Sequence, residues 1–115
     1  MATSRSPEQE WTASVDLFSG RPNPTWVVAA GPARELVELC SGLPPTAAPP
    51  GGPPALGYRG CALRAPDGRV WRARGGVVCV PGAPRPQAHR DDGCVWERRL
   101  LETAPEGALP ANWSP

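Results

Sequence analysis

The chain contains no lysine; all twelve of its basic residues are arginine. That absence excludes Schiff-base chemistry and the phosphate-gripping lysine of a P-loop. It also empties the run His89-Arg90-Asp91 of its kinase-like look, because no glycine-rich phosphate loop, strand lysine or DFG accompanies it. His89 is the single histidine, so any triad or mixed Cys/His metal site has one imidazole to draw on. It lies in PRPQAHRDD, a proline-rich stretch where a solvated ring is expected. Isoleucine is missing too, and Phe, Tyr and Met occur once each. Ala, Gly, Pro and Arg stand in their place, the pattern that GC-rich coding DNA produces. Arginine abundance is therefore no evidence of phosphate recognition, and a net charge of +1 supplies no strong steering field.

No apolar run reaches the length of a membrane span. MATSRSPEQEW lacks the basic and then apolar regions of a secretory leader, so a cytoplasmic location is expected, the cytoskeleton, a cilium or the nucleus being particular forms of it. Cysteines stand at 40, 61, 79 and 94, spaced by 21, 18 and 15, with no C-x-x-C pair. Structural zinc sites show paired ligands at short spacing. The expectation is four reduced thiols acting as small apolar residues, with no metal and no cofactor.

What is present begins with SGRPNPTW, residues 19–26. Before it, Trp11 to Phe18 alternates as a half-buried strand, with Trp11, Ala13, Val15 and Leu17 on one side. Pro22 and Pro24 stiffen a corner, and WVVA (26–29) reads as a short second strand whose Trp26 enters the core. A ligand loop at 19–26 is the competing reading. Gly31 and Pro32 suit the start of a helix carrying Ala33, Leu36, Val37 and Cys40 on one stripe, with Gly42 placed to end it. Residues 43–56, LPPTAAPPGGPPAL, read as a Pro/Gly/Ala linker.

A hairpin follows: 58–65 and 69–74 around Ala65-Pro66-Asp67-Gly68, a type I turn with Gly68 left-handed. Val77 to Val80 reads as a strand and 81–90 as a loop. Asp91 or Asp92 is expected to cap a last helix that buries Trp96, Leu100, Leu101 and Ala104 and stops at Pro105. The fold class is α+β: an antiparallel-rich sheet of about five strands with two helices packed on one face. Residues 1–10 and 105–115 are expected to be tails on a single domain spanning 11–104, which is close to the size where stability becomes marginal.

Five tryptophans are many for so small a core. Trp and Arg are enriched at interface hot spots. The partner-binding set expected on that basis is Arg21, Trp26, Tyr58, Trp71, Arg72, Arg74 and Trp113. The leading functional expectation is a non-enzymatic structural or interaction protein. It would be an accessory subunit of a larger intracellular assembly, cytoskeletal or ciliary, held by Trp/Arg anchors and Pro-rich arms to a protein partner and not to a membrane. A nucleic-acid module using the Arg/aromatic hairpin 58–74 is the alternative, though the net charge weighs against it. A small ligand-binding domain or enzyme with a pocket at 19–26 is the third reading.

Overall fold

The computed structural model describes residues 10–17, 23–47, 58–82 and 84–109, the side chains of Leu17, Tyr58 and Arg59 excepted. The alternation at the start of the chain does form a strand, β1 (Trp11–Leu17). It pairs antiparallel with β2 (Thr25–Val28) and, on its other side, with β3 (Tyr58–Arg64). The ladder to β2 continues past the strand end, where Val15 N–H donates to Pro24 O at 3.1 Å. Ala65-Pro66-Asp67-Gly68 makes the expected turn into β4 (Val70–Arg74): Gly68 N–H donates to Ala65 O at 3.0 Å with Gly68 at φ 95°. The Asp67 carboxylate accepts from Arg69 N–H and Arg69 Nε, at 3.0 and 2.8 Å. Those contacts, the backbone N–H foremost, hold its carboxyl below the usual value. Gly75 and Gly76, both at positive φ, turn β4 into β5 (Val77–Val80).

The stretch 81–90 is not all loop. Gln87–Arg90 forms β6, antiparallel to β5, which makes the sheet six-stranded in the order β2-β1-β3-β4-β5-β6. Its strand character comes from its neighbours on both sides. Thr46 N–H donates to Ala88 O at 2.9 Å and Arg90 N–H to Pro44 O at 2.7 Å, with Pro45 bridged to His89. The first residues of the stretch read as a linker thus run along the outer edge of β6. Prolines suit that position, since they lack the N–H an exposed edge would offer to another chain.

Helix α1 (Ala30–Ser41) begins one residue before the expected cap, with Ala29 extended ahead of it. Pro32 then falls within the first turn, where its missing N–H removes no helical hydrogen bond. Gly42 follows the last turn at φ −92°, right-handed rather than left-handed. Helix α2 (Val95–Glu102) is preceded by a 3-10 turn, Asp92–Cys94, in which Gly93 and Cys94 are left-handed at φ 72° and 54°. Asp91 caps it from beyond that turn: Trp96 N–H and Glu97 N–H donate to its two carboxylate oxygens at 3.0 and 3.2 Å.

Both helices lie on one face of the sheet. The core there joins Ala13 and Val15, Trp26 and Val28, Cys61 and Leu63, Trp71 and Ala73, and Val78 to Ala33, Leu36, Cys40, Trp96, Leu100 and Leu101. Burial of each large side chain of this set stabilises the fold by about 1.5–3 kcal/mol. Trp96, fully buried, donates from Nε1 to Leu36 O at 2.8 Å and so locks α2 to α1. Trp26 Nε1 donates to Thr103 Oγ1, also at 2.8 Å, and ties the end of α2 to β2. Trp11 and Trp71 pack with ring centres 5.9 Å apart. Ala108 and Leu109 also pack on the core, so the folded body continues past Pro105. No helix among the described residues is long and apolar enough to cross a membrane.

Candidate functional site

Strand alternation that sends one set of side chains under the helices sends the other to the opposite face. No described helix or strand packs on that second face. Its layout follows from the register. One row crosses all six strands as Thr25, Ser14, Ala62, Arg72, Cys79 and Ala88. A second row runs Val27, Thr12, Arg64, Val70, and a third runs Arg74, Val77, Arg90.

Two depressions meet at Ser14, Ala62 and Arg72. One, about 400 Å³, lies among Thr12, Thr25, Arg64 and Val70. The other, about 300 Å³, lies among Asp16, Asn23, Gly60, Arg74, Val77 and Cys79. Gly60 lines the second one; at φ 119° it has no side chain, and a Cβ placed there would lie 2.6 Å from Ala73 O on β4. The charge is one-sided. Arg64, Arg72, Arg74 and Arg90 share this face with Asp16, and Arg64, Arg72 and Arg90 are exposed. Asp92 reaches Arg90 only at 3.9 Å. Among the described side chains no aromatic ring lies here; Trp11, Trp26, Trp71 and Trp96 all pack with the core.

The expected partner-binding residues therefore separate. Arg72 and Arg74 stand together on the face opposite the helices. Trp26 and Trp71 do not join them: at 6 % and 2 % exposure they are core side chains and offer no surface to a partner. Arg21, Trp113 and the Tyr58 side chain lie outside the described residues. Arg64 and Ser14 complete the surface. Both were detectable from alternation alone, since Arg64, two residues from Ala62, must share its face.

Elsewhere the reactive groups are dispersed or engaged. His89 Nδ1 lies 2.9 Å from Leu43 O. Asp91, the carboxylate nearest to it in sequence, holds the α2 backbone. Burial, with the Asp91 charge second, pushes the Cys40 thiol up to about 12, against a hydrogen bond from Trp96. Burial, Glu97 and Asp91 raise that of Cys94. Neither is a thiolate at neutral pH, so neither is a ready nucleophile. No group of three His, Cys, Asp or Glu side chains among the described residues is placed to hold a metal ion. A further groove of about 480 Å³ runs between the helices, where Glu35 and Glu102 offset Arg98 and Arg99. It therefore carries no net preference for a charged ligand.

The chain matches no family model, no curated protein and no solved structure. Its site is defined by geometry alone.

Proposed function

We propose that the chain is a non-enzymatic binding subunit that docks a partner protein on the face of its sheet opposite the two helices. The observation behind this reading is the division of labour across the strands. Every described indole is committed to the core, and Arg64 of β3 with Arg72 and Arg74 of β4 borders two open depressions on the other side. A surface of that kind suits an accessory subunit of a larger intracellular assembly, because it recognises without reacting. The nucleic-acid reading draws on the same arginines, but it also needs rings to stack bases, and Trp71 points away from them. The protein reading is therefore preferred.

Site-specific photo-crosslinking in cells tests it. A benzoylphenylalanine at Ala62 should trap a discrete protein, and one at exposed Arg34 on α1 should not. Equal trapping from both positions, or none from Ala62, would remove the face opposite the helices as the docking surface.

A further inference from the structure

Resting on that reading, we infer that the segment received by this face is an extended, acidic stretch of the partner, with carboxylates on alternate residues. Charge points to it first. The depressions themselves are bordered by three arginines, Arg64, Arg72 and Arg74, against one aspartate, Asp16, while Arg90 at the edge of the face has Asp92 at 3.9 Å. Spacing points to it second. Arg64 pairs with Val70, so Arg72 stands diagonally across the β3–β4 ladder from it, at about 7–8 Å. Arg74 is two residues beyond Arg72 on the same strand, roughly 6.7 Å further. Three guanidinium stems thus follow one another at about 7 Å, close to the same-side spacing of an extended chain. Carboxylates on one face of a helix recur more tightly, at about 5–6 Å.

The two depressions agree with this. Arg64 and Arg72 border one, and Arg72 and Arg74 border the other, so each depression is lined by two cationic side chains, the setting a carboxylate would require. Neither contains a described ring against which a base would stack. Asp16 sets the polarity. It borders the second depression across the side-chain-free lane at Gly60, where it disfavours an acidic group. The partner's segment should carry a neutral or basic residue at that end.

Fluorescence anisotropy with dye-labelled octapeptides tests the inference. The alternating (Glu-Ser)4 should bind more tightly than (Lys-Ser)4 and more tightly than the block peptide Glu4Ser4. Arg72→Glu and Arg64→Glu should each weaken it about tenfold, with circular dichroism unchanged because both side chains are exposed. Arg34→Glu should leave it unaltered. Added salt should weaken the binding, as expected of exposed charges. Equal binding of the Glu and Lys peptides, or indifference to Arg72→Glu, would overturn the inference. Equal binding of the block peptide would overturn the alternate spacing. An eight-nucleotide oligo-dT that bound more tightly than (Glu-Ser)4 and lost its affinity in Arg72→Glu would give the face to nucleic acid. A protein trapped from Ala62 by a chain indifferent to acidic peptides would sink this inference while leaving the docking surface in place.

Discussion

Removing the Asp91 carboxylate should unfasten α2. Asp91 is 1 % exposed, and its two oxygens receive the N–H groups of Trp96 and Glu97. Both donors belong to the first turn of α2, where the helix itself provides no acceptor. In Asp91→Ala they are left unpaired beside the fully buried Trp96. A hydrogen bond to a charged group contributes about 1.5–3 kcal/mol, and loss of an N-terminal cap costs about 0.5–2 kcal/mol. These descriptions overlap, and some of the loss is offset because a buried charge no longer has to be desolvated. The net expectation is about 3 kcal/mol. For a domain of this size that lowers Tm by roughly 12–24 °C. Asp91→Asn keeps one acceptor and turns an amide N–H against the second donor, so about 2 kcal/mol should be lost. The control is Asp92→Ala, whose side chain is 82 % exposed and should matter by less than about 0.5 kcal/mol. Urea unfolding followed by tryptophan fluorescence reads all three, with slopes unchanged. If Asp91→Ala lay within about 0.5 kcal/mol of the parent, the two N–H groups would be satisfied without the carboxylate and its capping role would be refuted.

Two further outcomes follow from the same packing. Gly60→Ala should destabilise by about 2–3 kcal/mol, since its Cβ would meet the Ala73 carbonyl at 2.6 Å in a left-handed backbone; a neutral result in thermal unfolding would mean that β3 and β4 move apart easily there. Stability should also decline as pH rises from 9 toward 12. The Cys40 thiol is raised from 9.0 to about 12 in the fold, so the unfolded chain releases that proton first and gains from it. The Cys40 contribution is complete below pH 9 and fades through that window, no faster than one proton allows, roughly 1.4 kcal/mol per pH unit. Cys40→Ala should flatten the decline, and an unchanged pH profile would show that the thiol is not protected.

Much of this architecture is local enough to be legible in the sequence. Asp67-Gly68 fixes the β3–β4 turn within four residues, and Trp96, Leu100 and Leu101 mark one side of α2 at helical spacing. Strand β6 is different. Gln87-Ala88-His89-Arg90 has no apolar alternation, and only the Val77–Val80 strand and the Pro44–Thr46 edge make it extended. The Asp91 cap lies five residues before the first N–H it receives, because Gly93 and Cys94 take a left-handed detour that no periodicity records. The candidate surface is half legible: Arg72 and Arg74 are identifiable in the hairpin, but nothing in the linear order of the residues separates Trp71 from them.

The separation of Trp71 from its neighbouring arginines has a physical root, and it supports the preference for a protein partner proposed above. Written in line, Arg69-Val70-Trp71-Arg72-Ala73-Arg74 mixes rings and cations as a stacking surface would. On a strand the mixture is sorted by parity. Trp71 drops between Trp11 and the core, where Arg69 lies 5.2 Å over its ring. Arg72 and Arg74 rise on the other side beside Ala62 and Cys79. A base would find charge on that face without a described ring, whereas a carboxylate needs only the charge. If the sheet receives the acidic segment proposed above, removing the positive charge at Arg72 alone, as Arg72→Gln, should weaken binding of (Glu-Ser)4 in fluorescence anisotropy and leave the circular dichroism, and so the packing beneath, unchanged.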